Sequence, residues 1–217
     1  DIDEEDVMKT VHYVSKQGNE LTTTFKKRVD VILAGISMEE NRYATEINGI
    51  SVKLRQGDIT LTFADAIINP ASPSGEMNRG LSGVLKKAGG EEIEKEAVAS
   101  APISTDKPVA TSPGTLPLKH IIHTVTIQDE QTSAEIILRA TKSALQLAEE
   151  LECEVVAIPG LGTGVGGISP EEASKAIINA IKEHNATNIK DIILIDMNEE
   201  VVNAFEKVLE QFDEGEQ

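Results

Sequence analysis

Cys153-Glu-Val-Val-Ala-Ile-Pro-Gly160-Leu-Gly162-Thr-Gly164-Val-Gly166-Gly167-Ile-Ser169-Pro170-Glu-Glu172-Ala173 is the stretch whose reading decides the fold. Val155, Val156, Ala157 and Ile158 form an apolar run of the length expected for a strand buried on both faces. Five glycines follow within the eight residues Gly160 to Gly167. Ser169 then stands as an N-cap, Pro170 at the first helical position, and Glu172 completes a capping box. A strand, a glycine-rich loop and a capped helix form a place where backbone N–H groups can meet an anion. Glycine lets that backbone approach a phosphate with no Cβ in the way. The competing interpretation is a plain flexible connection.

Outward from this loop the chain alternates strands and helices. Downstream, Ala173, Ala176, Ile177, Ala180 and Ile181 mark one helix face up to His184; Ile192–Ile195 is a strand, and Asn198 caps a last helix using Val201, Val202, Phe205 and Leu209. Upstream, a helix is expected from Ser133 to Leu151, with Thr132 and Glu135 as its capping box. Helices are also expected over Leu81–Ala88 and Glu91–Ser100. Further strands are expected over Ser51–Gln56, Ala66–Asn69, Pro108–Thr111 and His120–Thr126. The pattern predicts an α/β layered sheet with ligands at the carboxyl ends of its strands. Asp58, Asn69, the Gly80-Leu81-Ser82-Gly83 helix opening and His123 all fall at such ends. Each has a bland alternative: Asp58 as a turn residue, Asn69 as a strand-end hydrogen-bonder, His123 as a satisfied core histidine.

The first fifty residues read less clearly. Runs rich in β-formers over 7–16 and 20–34 flank Gln17-Gly18-Asn19, the pattern of a hairpin. Asn48-Gly49 is a second hairpin-type turn, before Ile50. Three units are expected: an N-terminal extension over 1–45, a main domain over 46–212 and an acidic tail over 213–217.

Composition narrows the function classes. The 217 residues are 40% hydrophobic, enough for a substantial core, and carry a net charge of −17. That charge speaks against a DNA-binding surface. With no Trp and 3% aromatics, stacking platforms for single-stranded nucleic acid are also disfavoured. One cysteine rules out an intrachain disulfide and a cysteine-rich zinc site. No apolar run is long enough to span a membrane, so a soluble, intracellular, cytoplasmic protein is expected.

Four strings in order resemble the macrodomain family. They are Gln56-Gly57-Asp58-Ile59-Thr60; Ala64-Asp65-Ala66-Ile67-Ile68-Asn69-Pro70-Ala71-Ser72; Thr111-Ser112-Pro113-Gly114-Thr115-Leu116-Pro117-Leu118-Lys119-His120-Ile121-Ile122-His123-Thr124-Val125; and Ile158-Pro159-Gly160-Leu161-Gly162-Thr163-Gly164-Val165-Gly166-Gly167. The match covers about residues 50–210. The resemblance implies a three-layer α/β/α fold with a mixed central sheet and a cleft for ADP-ribose or a related nucleotide, with no metal and no separate cofactor. It implies that Asp58 accepts a hydrogen bond from the adenine amine beside Ile59, and that Gly160, Leu161, Gly162, Thr163, Gly164, Val165 and Gly166 wrap the pyrophosphate. Asn69, Ala71, Ser72, Gly80, Leu81, Ser82 and Gly83 would surround the distal ribose, and Ile195, Asp196 and Met197 would border adenine.

The departures are informative. Ser72 stands where the family often has Asn, Asn78-Arg79-Gly80 where it has three glycines, Ser82 where hydrolytic relatives carry an aspartate, and Gly166 where an aromatic is common. Binding of ADP-ribose or an ADP-ribosylated protein with little hydrolase activity is therefore expected. No catalytic residue is assigned, Asn69 being the candidate for a hydrolytic protein. Alternatives are a hydrolase of ADP-ribosyl groups or ADP-ribose-1″-phosphate, and an interaction module that binds no nucleotide. A third is an NAD-dependent oxidoreductase, since Gly162 to Gly167 satisfies G-x-G-x-x-G and Asp196 ends the next strand. That last option fits less of the chain, because 21 residues follow Asp196.

Overall fold

The computed structural model describes residues 41–128 and 130–215. The hairpin expected over 7–34 lies outside them. Seven strands build one mixed sheet: β1 (Tyr43–Ile47), β2 (Ile50–Gln56), β3 (Ala66–Pro70), β4 (Val109–Thr111), β5 (His120–Thr124), β6 (Val155–Ile158) and β7 (Asp191–Asp196), in the order β1-β2-β7-β6-β3-β5-β4. The inner five are parallel, and the edge strands β1 and β4 run antiparallel to their neighbours. Five α-helices complete the described residues: α1 (Gly80–Gly89), α2 (Glu92–Ala99), α3 (Ala134–Glu150), α4 (Pro170–Lys182) and α5 (Glu199–Gly215).

Alternation along the strands makes the layers. Ile68, Val156, Ile158, Ile192 and Leu194 bury toward α3, α4 and α5, forming a core with Leu145, Ile177 and Phe205. Their neighbours Ile67, Ala157, Ile193 and Ile195 face the other way, onto Leu85 of α1 and Ile93 of α2. Apolar residues at successive positions thus serve two cores, which is why the inner strands read as unbroken apolar runs. The architecture is a three-layer α/β/α sandwich around a mixed sheet.

Local signals act where they were read, with three differences. Asn48 and Gly49, both at positive φ, turn β1 into β2. Ser169 caps α4 by accepting from the Glu172 N–H at 3.2 Å, and Asn198 Oδ1 accepts from the Glu200 N–H at the start of α5. The cap of α3 is Ser133, which accepts from Ile136 N; Thr132 instead donates to the Thr126 carbonyl, holding the preceding loop. Tyr43, Ala44 and Thr45, expected in the extension, belong to β1 of the central sheet, because they pair with Leu54, Lys53 and Val52. Asp213, expected in a solvated tail, lies in α5 and accepts from Tyr43 Oη at 2.6 Å and Thr45 Oγ1 at 2.8 Å.

At the amino end of β7, Glu149 near the end of α3 anchors the 184–189 loop. Its carboxylate accepts from the backbone N–H groups of Thr187, Asn188 and Ile189, from Thr187 Oγ1 at 2.7 Å, and lies 3.1 Å from His184 Nε2. Burial alone would raise its pKa. The bonds from Thr187, His184 and Asn188 outweigh that and hold it at about 2. No helix among the described residues is long and apolar enough to cross a membrane.

Candidate functional site

A cavity of about 590 Å³ opens at the carboxyl ends of the five parallel strands. Each strand end contributes: Gly57, Asp58 and Ile59 after β2, Pro70 to Pro73 after β3, Val125 to Ile127 with Glu130 after β5, the glycine loop after β6, and Ile195 to Met197 at β7. The opening of α1 closes one wall with Arg79, Gly80, Leu81, Ser82 and Val84. Parallel strands all deliver their following loops to one side, so the cleft is a direct product of topology.

Asp58 caps a short 3-10 turn, Ile59–Leu61. Its Oδ1 accepts from Thr60 N at 2.9 Å and Thr60 Oγ1 at 2.8 Å, which fixes the carboxylate. Ile59 is buried beside it. Asp196 both lines the cavity and braces its wall. Its Oδ2 accepts from Gly160 N at 3.1 Å and its Oδ1 from Asn198 N at 2.9 Å, so the carboxylate straps the end of β7 to the glycine loop.

The loop itself is close-packed at its base and open at its crown. A Cβ on Gly160 would meet Val201 Cγ1 at 2.5 Å, and Gly162, at φ +80°, would meet Ile137 Cδ1 at 2.6 Å. Gly164 has nothing within 4 Å. Thr163 turns inward, its hydroxyl donating to the Gly160 carbonyl at 2.7 Å. Among the described residues, no acceptor serves the N–H groups of Gly162, Gly164, Val165 or Gly166. Four backbone donors with no partner among the described residues thus belong to residues that line one cavity.

Beneath the floor lies a buried polar cluster. Asn69 Nδ2 reaches Ser82 Oγ at 3.0 Å and His123 Nδ1 at 3.1 Å, and His123 Nε2 lies 2.9 Å from Thr111 Oγ1. His123 is completely enclosed. Burial drives its pKa down to about 4 against a weaker upward pull from Glu96, so the ring is neutral at pH 7. His123 is thus the satisfied core histidine of the bland alternative, and Asn69 is held beneath the cavity instead of lining it.

Of the other expected residues, Ala71, Ser72, Gly80, Leu81, Ser82, Thr163, Val165 and Met197 line the cavity. Leu161 is buried in the core and Gly83 lies behind the wall. Sequence reasoning missed Glu76, Arg79, Val84 and Glu130 as lining residues. Arg79 alone carried a signal, standing immediately before a glycine that opens a helix. Among the described residues Arg79 is the only cationic side chain lining the cavity, against four carboxylates, and it has no ion-pair partner. No cluster of three His, Cys, Asp or Glu suited to a metal occurs among the described residues.

Comparison with known proteins gives a consistent picture. Residues 68–177 match the Macro domain family model. An uncharacterised protein of Aquifex aeolicus is 43% identical over 162 residues, covering 74% of this chain and 98% of that protein. An uncharacterised protein of Mycobacterium tuberculosis is 30% identical over 76% of this chain, which spans only 46% of that longer relative. Among solved structures, the Oceanobacillus iheyensis macrodomain with ADP superimposes with a TM-score of 0.72 at 23% identity, covering 80% of this chain and 97% of that one. The Trypanosoma brucei macrodomain in complex with ADP-ribose gives 0.68 at 20% identity, covering 73% and 68%.

Proposed function

Because this chain belongs to the macro domain family, we propose that its cleft binds ADP-ribose, free or attached to a metabolite or protein, and acts as a binder with little hydrolase activity. The observation that carries this is the set of four unpaired N–H groups at Gly162, Gly164, Val165 and Gly166, on the wall of a cavity of nucleotide size. A diphosphate entering a cleft lined by four carboxylates and one arginine must be held by backbone dipoles, and this loop supplies them.

Asp58, fixed by Thr60, is the acceptor for the adenine amine, and Ile59, Ile195 and Met197 supply apolar contact to the ring without aromatic stacking. The pyrophosphate then lies along the glycine loop, with the distal ribose toward Ser72 and the opening of α1. Cytoplasmic residence and an ADP-ribosylated protein as partner accord with this assignment.

The low hydrolase activity follows from Ser82. It offers a hydroxyl at the start of α1, and that hydroxyl already bonds Asn69 and the Pro70 carbonyl at 3.0 to 3.2 Å. A neutral serine so engaged is a poor base, and general acid–base assistance is worth on the order of 10²–10⁴ in rate. Calorimetric titration with ADP-ribose tests the binding: a one-to-one isotherm is expected, and no heat or thermal shift at millimolar ligand would refute it. A time course on mono-ADP-ribosylated glutamate tests the rest, with turnover within tenfold of an active macrodomain overturning the binder assignment.

A further inference from the structure

A chain of hydrogen bonds runs beneath the cleft and ends in it, and one direction, starting from the far end, gives each of its donors an acceptor. The Ser112 carbonyl can only accept, and it takes the Thr111 hydroxyl proton at 3.1 Å. Thr111 Oγ1, its proton spent, accepts from His123 Nε2 at 2.9 Å. The neutral ring therefore presents a lone pair at Nδ1, which accepts one Asn69 Nδ2 proton at 3.1 Å. The other Nδ2 proton goes to Ser82 Oγ at 3.0 Å. Ser82 sends its own proton to Asn69 Oδ1 or the Pro70 carbonyl, each at 3.2 Å. A hydroxyl has one donor and two acceptor positions, so Ser82 retains one lone pair for the cavity it lines. Thr111, His123, Asn69 and Ser82 are all buried, and in this direction every one of their side-chain donors has an acceptor.

We propose that Ser82 is a specificity-determining residue of the cleft: a hydrogen-bond acceptor, held in that role by Asn69 and His123, that takes a hydroxyl proton from the distal sugar of an ADP-ribosyl ligand. This rests on the ADP-ribose assignment above. The cleft then prefers a distal ribose whose hydroxyl at this position is free over one in which that oxygen is acylated, phosphorylated or otherwise unable to donate. Asn69 and His123 are positioning residues and do not touch the ligand.

Fluorine in place of a hydroxyl nearly preserves size but cannot donate, so the 2″- and 3″-deoxyfluoro analogues of ADP-ribose are the probes. Calorimetry on the wild-type protein should show one analogue binding about five- to tenfold more weakly than ADP-ribose, the size of one lost hydrogen bond. Ser82→Ala should bind ADP-ribose and that analogue equally. Its affinity for ADP, which lacks the distal sugar, should be unchanged. Ser82→Thr, which keeps the hydroxyl, should keep the discrimination. Thr111→Val, remote from any ligand, should weaken the discrimination and leave ADP affinity alone, an outcome a purely structural role would not produce. Both analogues binding the wild type as well as ADP-ribose does, or discrimination that survives in Ser82→Ala, would overturn the proposal. If Ser82→Ala does not fold, the wild-type analogue series decides by itself. Failure of both ADP and ADP-ribose to bind would instead defeat the parent assignment, and this one with it.

Discussion

The two ends of the central sheet solve the same backbone problem in opposite ways. At the amino end of β7, the N–H groups of Thr187, Asn188 and Ile189 close on the carboxylate of Glu149, an anion the chain supplies itself. At the carboxyl end of β6, the N–H groups of Gly162, Gly164, Val165 and Gly166 face no acceptor among the described residues. Glu149 lies in the last turn of α3, where the helix dipole disfavours a negative charge, so its bonds to the loop must compensate for that as well as for burial. The comparison separates stability from function within one fold. One end consumes its donors to hold the molecule together, and the other, on the function proposed above, keeps them for a ligand.

The sharpest way to break the contrast is to give the carboxyl end an anion of its own. Gly164→Glu, entering open space, should weaken ADP-ribose binding by on the order of 100-fold or more through like-charge repulsion. Its melting temperature should stay within about 2 °C of wild type, since nothing is displaced. Unchanged affinity by calorimetry would locate the diphosphate elsewhere. The converse change removes the resident anion. Glu149→Gln should cost about 3 kcal/mol in urea unfolding, because donors that include those of buried His184 and Ile189 lose a charged acceptor. The folded fraction should bind ADP-ribose with wild-type affinity.

A smaller effect is expected at Asp58. Asp58→Ala should lose about 1–3 kcal/mol of ADP-ribose binding and reduce the preference for adenine over hypoxanthine. A wild type that does not separate ADP-ribose from its inosine analogue would refute the assignment of Asp58. The most diagnostic effect is in acid. His123 has its pKa lowered from 6.5 to about 4, so the unfolded chain binds a proton that the folded one refuses, and stability falls as pH drops from about 6.5 to about 4. Glu149, lowered from 4.5 to about 2, contributes stability that is full above about 4.5 and lost as pH falls toward 2. The cleft end should therefore lose stability first. His123→Gln should flatten the upper window of a stability–pH curve and leave the lower one, with Glu149→Gln doing the reverse.

What the sequence disclosed tracks how local each interaction is. Gly160 to Gly167, Ser169 with Glu172, and Asn198 act within a few residues of themselves, and all were legible. So was the β1–β2 turn at Asn48-Gly49. The inward commitment of Asn69 was not, because it depends on His123, 54 residues away, and through it on Thr111. The strap from Asp196 was not legible for the same reason, its partner Gly160 lying 36 residues upstream. Glu76 and Glu130 reach the cavity by the folding of loops whose own sequences carry no periodicity, and Val84 reaches it from the exposed side of α1. The one-residue difference between Thr132 and Ser133 is of another kind, since either hydroxyl could cap α3 and the tertiary bond of Thr132 to Thr126 decides between them.

The strap formed by Asp196 has a kinetic corollary. The glycine loop is tied at its base by the Gly160 N–H to Asp196, and at its far side by the Ile168 N–H to the Gly162 carbonyl and the Gly167 N–H to the Gly164 carbonyl. An arch pinned at both footings has little conformational freedom to surrender when a diphosphate arrives. Much of the ordering entropy is thus already spent at folding, and capture needs no slow rearrangement of this segment. Loosening a footing with Asp196→Ala would shift that cost to the moment of encounter, slowing association more than it hastens release.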